Sequence, residues 1–148
     1  MATSDPYMRA AIDQARKSLS EGGIPIGSVL VHEGRIIGRG HNARVQTSSA
    51  IDHGEMNCLR NAGRLPAKVY RASTIYSTLS PCPMCSGAIV LYKIPRVVVG
   101  ENRTFLGAED YMRGQGTQVD VVQDEECIQM MREFIRENPA LWNEDIGL

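Results

Sequence analysis

Five runs rich in β-branched residues, set between helical stretches, predict a three-layer α/β/α sandwich around a mixed sheet of five strands. The first two runs lie close enough to form a hairpin. The last two are separated by the sixteen residues Glu101 to Gly116, a length that suits a crossover and therefore a parallel pair. With 148 residues the chain is expected to be a single domain over 1–148, large enough for a real hydrophobic core.

Ser4 and Asp5 offer caps for a first helix with Pro6 in its first turn. Met8, Ala11, Ile12, Ala15 and Leu19 recur at helical spacing, and Gly22-Gly23 ends the run. The chain turns β-branched from Ile24 to Val31, breaks at His32-Glu33-Gly34 and resumes from Arg35 to Gly40. Gly38 and Gly40 mark places where backbone passes close to something. His41 to Ser49 reads as an irregular loop. Asp52 is placed to cap a helix from about His53 to Asn61, stopped by Gly63-Arg64-Leu65-Pro66. Thr74 to Leu79 is a strand, and Pro81 opens a helix that ends before Pro95. Arg96 to Gly100 does not alternate and reads as a fully buried strand. The crossover holds a short helical stretch at Glu109–Arg113 and leads to a strand at Thr117–Val122. Asp124 can cap the last long helix, which Asn138-Pro139 breaks; residues 140–148 follow as a tail.

The hydrophobic and charged fractions, 43% and 22%, are ordinary for a globular chain. Sixteen basic against seventeen acidic residues give a net charge of −1. No basic excess is available to neutralise a phosphate backbone, so nucleic acid is not the expected partner. The N-terminus, Met1 to Asp5, lacks a charged stretch followed by an apolar one, and no signal peptide is expected. No apolar run reaches membrane-span length. Four cysteines, two of them in one C-x-x-C, point to a reducing compartment, the cytoplasm.

Two short stretches carry the chemistry. His53-Gly54-Glu55 precedes Pro81-Cys82-Pro83-Met84-Cys85 by about one strand. One His and two Cys supply three of the four ligands of a tetrahedral zinc and leave the fourth position to water. A structural zinc needs a fourth protein ligand, and the other candidates, His32, His41, Cys58 and Cys127, have no partner at ligand spacing. Glu55, two residues past the His, is placed to carry protons beside that water. Both motifs fall at helix starts, where the helix dipole favours thiolate over thiol. H-x-E followed by P-C-x-x-C is identified as the signature of zinc-dependent base deaminases.

Beyond that signature the chain resembles fungal cytosine deaminase, over almost its whole length. The resemblance is carried by Gly23-Ile24-Pro25-Ile26-Gly27, Gly38-Arg39-Gly40-His41-Asn42, His53-Gly54-Glu55, Thr78-Leu79-Ser80-Pro81-Cys82, Gly100-Glu101-Asn102 and the tail Trp142-Asn143-Glu144-Asp145-Ile146-Gly147. It implies the cytidine deaminase-like fold, one zinc on His53, Cys82 and Cys85, and Glu55 as proton shuttle. It implies further that Asn42 and the Gly54 N–H hold the carbonyl edge of a free pyrimidine and that the Ser80 carbonyl meets the leaving amino group. Phe105, Trp142 and Ile26 would wall the ring, Asp145 would touch its polar edge, and the protein would be a homodimer. Plainer roles stay open: a turn cap for Asn42, core packing for Phe105 and Trp142, a solvated charge for Asp145. The chain departs at Val45, where the fungal enzymes carry an aromatic residue, and in a shorter hairpin turn near Glu33-Gly34. The smaller Val45 is read as room for a different or bulkier ring.

The expected reaction is hydrolytic deamination of cytosine to uracil and ammonia. Rival substrates are a purine, pterin or creatinine-like ring. A tRNA adenosine deaminase would be expected to show a basic face, and a silent zinc-stabilised binding module would have no need of Glu55. Trp142 and Asp145, three apart after Pro139, share one side of a helical turn, so residues 139–148 are expected to form a lid that closes the pocket and contributes little to stability.

Overall fold

The computed structural model describes residues 3–148, so Met1 and Ala2 of the N-terminal reading lie outside it. Helix α1 (Pro6–Ser20) starts on Asp5, whose carboxylate accepts from the Tyr7 N–H at 2.9 Å. Such a cap is worth about 1 kcal/mol. Strands β1 (Gly27–His32) and β2 (Arg35–His41) form the hairpin. Then come α2 (Arg44–Thr47), α3 (Gly54–Ala62), α4 (Ala67–Tyr70), β3 (Ser73–Ser77) and α5 (Pro83–Leu91). The chain ends with β4 (Arg96–Val99), α6 (Glu109–Gly114), β5 (Gln118–Val121), α7 (Glu125–Glu137) and α8 (Pro139–Asp145).

The strand order is β2-β1-β3-β4-β5, with β1 antiparallel to both neighbours and β3, β4 and β5 parallel. Helices α1 and α7 cover one face, burying Met8, Ile12 and Met130 against Val29, Tyr76 and Val98. Helices α3, α5 and α6 cover the other, burying Cys58, Ile89 and Met112 against Leu30, Ile75, Val97 and Val99. Both faces of the inner strands are thus dry, which is why β4 reads as unbroken valine rather than as an alternating run. A third cluster, Ile24, Ile26, Leu79, Met131, Phe134 and Trp142, closes one end of the sandwich. No helix among the described residues is long and apolar enough to cross a membrane.

The close approach at Gly38 and Gly40 is that of α3 over β2. A Cβ on Gly40 would lie 2.3 Å from the Cys58 amide nitrogen, and one on Gly38 would lie 2.7 Å from the Ala62 Cβ. Three sequence expectations are corrected. Residues 44–47 and 67–70 form single helical turns, too short to show a period. Asp52 does not cap α3: His53 occupies the N-cap without a side-chain bond. The buried Asp52 carboxylate instead takes Thr47 Oγ1 at 2.8 Å, Arg60 Nη1 at 3.0 Å and Asn57 Nδ2 at 3.1 Å. Finally, α5 starts two residues after Pro81, because the Pro81 carbonyl is held by the Ala108 N–H and the Ser86 hydroxyl, both at 3.0 Å.

Helices α1 and α7 are tied by Glu126, which takes a two-pronged bond from Arg9 at 2.8 and 3.1 Å and a third from Arg16 at 2.7 Å. The Arg9 bonds, first among the causes, hold the Glu126 carboxyl down at about 2 from its ordinary 4.5, against the effect of burial. A depressed carboxylate stabilises the fold fully above about pH 4.5 and loses that contribution as the pH falls toward 2. Both arginines are partly in solvent, so screening limits the contribution to about 1 kcal/mol. Glu126→Gln is therefore expected to lower stability by about 1 kcal/mol at pH 7 and to flatten the acid limb. Urea unfolding from pH 2 to 7 reads both, and an unchanged slope would refute the linkage.

Candidate active site

Helices α3 and α5 begin side by side, beyond the carboxyl end of β3, and their N-cap residues are His53 and Cys82. Cys85 follows in the first turn of α5. The donor atoms of His53, Cys82 and Cys85 lie within 4.8 Å of one another. The imidazole presents Nδ1 to the thiols, 3.5 Å from Cys82 Sγ, and its Nε2 lies 3.6 Å from the Asp145 carboxylate. One nitrogen and two sulfurs on a common point suit zinc, and a carboxylate behind the imidazole fixes the ring for ligation. No fourth Cys, His, Asp or Glu joins the cluster among the described residues, which leaves a position open toward the cavity.

The electrostatics favour a cation. The hydrogen bond from Cys85 pulls the Cys82 thiol down to about 4, burial opposes it and His53 assists it. That same bond, with burial, pushes the Cys85 thiol well up. Burial tends to discharge His53, but Cys82, Asp145 and Glu55 outweigh it and raise its value. Glu55, one residue into α3, is fully enclosed. Burial first, then the Cys82 charge, pushes its carboxyl up to about 7. A carboxyl raised in this way holds its proton more readily than a solvated one.

Ile26, His53, Glu55, Leu79, Ser80, Cys82, Phe105, Trp142, Asp145 and Ile146 line a cavity of about 10 Å³, room for a single water. Eight of the expected site residues thus meet there, and three stand at its edge. Cys85 completes the donor set. Asn42 donates from Nδ2 to Asp145 at 2.7 Å while its Oδ1 accepts from the Arg44 N–H at 3.1 Å, so it caps a turn and faces the site. Gly54 backs Ile26 and the Asn42 amide. Phe105 meets Trp142 edge-on, with centroids 5.7 Å apart. Asp145 is buried, and burial raises its carboxyl against the pull of His53, Asn42 and Arg44. It is no solvated charge. His53, Cys82, Phe105, Asp145 and Ile146 also line an outer depression with Arg44, Met84 and Glu144.

Two expectations are corrected. Val45 is 42% exposed and lines a depression with Leu141 and Glu144 on the outer side of α8. Its size does not set the width of the ring site. Trp142 is 6% exposed and belongs to the core cluster with Met131 and Phe134 as well as to the cavity wall, so α8 carries stability too. Ile146 and Leu79 join the wall without having been expected there. Ile146 had a signal, since it stands four past Trp142 on the same helix face.

A mixed sheet with a His-Cys-Cys centre at paired helix starts, and a carboxyl beside it, defines a zinc deaminase. Residues 1–101 match the cytidine and deoxycytidylate deaminase zinc-binding region, and the chain belongs to that family. The chain is 56% identical over 141 residues to a cytosine deaminase of Candida albicans, covering 95% of this chain and 94% of that one. It is 37% identical over 147 residues to a tRNA-specific adenosine deaminase of Bacillus subtilis, covering 93% and 91%. Among solved structures, a guanine deaminase from Nitrosomonas europaea shares the fold with a TM-score of 0.68 at 18% identity, over 90% of this chain and 85% of that one.

Proposed function

We propose that the chain hydrolyses the exocyclic C–N bond of a free amino-pyrimidine, converting cytosine to uracil and ammonia in pyrimidine salvage. The carrying observation is the apolar wall of Ile26, Phe105 and Trp142 set with Glu55 and Ser80 beside His53 and Cys82. A mostly apolar lining with a few polar groups suits one bare ring, admitted as α8 opens. The Candida albicans relative, similar along nearly the whole chain, supports the same substrate. The tRNA deaminase relatives favour a nucleotide instead. Against it stands the net charge of −1, which offers no basic excess to a phosphate backbone. A silent binding module is disfavoured by the buried Glu55 carboxyl, which lines the cavity with His53 and Cys82 and which such a module would not need.

Asn42 has one amide hydrogen on Asp145 and a second free to hold the ring carbonyl. The Gly54 N–H, at the first position of α3, is one of the unsatisfied donors of the helix start and aids it. His53, Cys82 and Cys85 would hold a zinc ion, whose Lewis acidity would lower the pKa of water beside it to about 7. Glu55 would take a proton from the attacking water and deliver it to the ring nitrogen beside the amino-bearing carbon, where it stays in the product. It takes a second proton from the same oxygen and gives it to the departing amine, which leaves as ammonia. Phe105 and Trp142 keep bulk water off the ring.

Glu55→Gln is expected to keep one zinc per chain and to lose about 10²- to 10⁴-fold in kcat. Ammonia release from cytosine, adenine, guanine, a pterin and creatinine, with zinc analysis of both proteins, tests the role and the substrate together. A variant with a tenth of wild-type activity would remove Glu55 as the shuttle, and turnover of a purine alone would remove cytosine.

Residues 139–148 are assigned as the lid of this single domain. Deleting residues 140–148 should abolish turnover and weaken zinc binding, since Asp145 no longer backs His53. It should also cost about 3 kcal/mol or more, since Trp142 leaves its cluster. Turnover by the truncated chain would sink the lid.

The protein is further read as a homodimer. Ile51, Met56, Leu59, Tyr70, Ala88 and Tyr92 line an apolar depression between α3 and α5, and Leu91 beside it is 65% exposed. An apolar face of this kind is what a second copy covers. Light scattering should give twice the chain mass, and a monomer at micromolar concentration would refute the reading. Four free cysteines, two of them required as ligands, fit the cytoplasm.

A further inference from the structure

Among the buried carboxylates that the mechanism above does not use, Glu109 is the one whose side chain bonds a residue of the cavity wall. Glu109, at the start of α6, is 3% exposed, although a buried carboxylate forfeits solvation that a leucine there would not. Its Oε2 accepts from the Ser80 hydroxyl at 2.6 Å, and its Oε1 accepts from Asn102 Nδ2 at 3.2 Å, with Arg113 Nη1 at 3.6 Å. The Ser80 Oγ in turn accepts from the Gly107 N–H at 2.9 Å. The Ser80 N–H donates to the Glu101 carbonyl, and the Ala108 N–H to the Pro81 carbonyl, both at 3.0 Å. Glu109 thereby locks the segment before Cys82 to the loop after β4. Gly107 tightens the lock, since a Cβ there would lie 1.9 Å from the Pro81 carbonyl oxygen.

Ser80 lines the cavity with its hydroxyl committed to Glu109 and its N–H to Glu101, so its carbonyl is the one polar group it has left for a ligand. Among the described residues no hydrogen bond ends on that oxygen. We infer that Glu109 is a positioning residue: through the Ser80 hydroxyl it sets the Ser80 carbonyl against the exocyclic amino group, and so selects rings that carry one. The inference rests on the deaminase reading of the cavity. An amino N–H donates to that carbonyl, whereas a ring bearing only hydrogen there has nothing to give it.

The test compares cytosine with pyrimidin-2-one, the same ring without the amino group, on zinc-loaded protein. Ser80→Ala and Glu109→Ala should each lower kcat/KM for cytosine about tenfold. Calorimetry should show the Kd for pyrimidin-2-one changed by less than about twofold, because the lost bond serves only the amino group. The double variant should fall no further than either single one, as members of one chain of bonds do. Equal losses on both ligands, or none, would overturn the inference. Should Glu109→Ala fail to fold, Ser80→Ala, which removes one oxygen atom, decides it. Wild-type protein inert on cytosine would fail the substrate reading instead. The same pair of measurements would then be made on the amino-heterocycle it does turn over and its des-amino counterpart. A loss confined to the amino-bearing ring would again support the positioning role, and equal losses would again overturn it.

Discussion

Everything at the site depends on two helices starting at one point. Helices α3 and α5 come from distant parts of the chain, yet His53 and Cys82, their N-cap residues, approach to 3.5 Å. The first N–H groups of a helix have no partner inside it, and the dipole there favours negative charge. That field suits a thiolate pair, a carboxyl that must ionise, and a substrate carbonyl, all of which gather at this spot. The parallel sheet makes the meeting possible. Strands β3 and β4 release their loops at the same edge, and the crevice beyond the carboxyl ends of such strands is where α/β folds bind ligands.

The rest of the structure keeps that point from shifting. Asp52 gathers Thr47, Asn57 and Arg60 around the start of α3. Glu101 gathers the Arg103 N–H at 2.7 Å, the Thr104 N–H at 2.9 Å and the Thr104 hydroxyl, which shapes the turn before Phe105. Glu109 and Asp145 join them as buried carboxylates that, beside Glu55, hold the cavity and its loops. Each is paired with donors rather than left bare, as burial demands. A site held by such networks is stiff, and stiffness lets a few polar groups discriminate between rings of nearly equal size.

Helix α8 shows how one residue can serve two ends. Trp142 fills the end of the core with Met131 and Phe134, while its ring packs near-perpendicular to Phe105 in the cavity wall. Asp145, one turn on, reaches both Asn42 and the zinc ligand His53. Opening this helix would therefore loosen the metal's support as well as admit a ring.

Local chemistry was legible in the sequence. The His53-Gly54-Glu55 and Cys82-Pro83-Met84-Cys85 spacings are metal chemistry written in consecutive residues, and the caps at Asp5 and Asp124 and the β-branched runs dictated their elements before any packing. Asp145 and Ile146, one helical turn past Trp142, likewise needed only a helix to share its side. What depended on long-range contact was not legible. Val45 looked like a pocket residue because it is close to Asn42 in the chain, yet α2 turns it outward. Asp52 looked like a cap and proved to be a hub, because its partners are set by the fold of residues 44–60 and not by spacing. Glu109 looked like an ordinary acid opening a short helix. Only the parallel packing of β3 beside β4 carries it to Ser80, twenty-nine residues away, and a hydrogen bond across that separation leaves no periodic trace in a sequence.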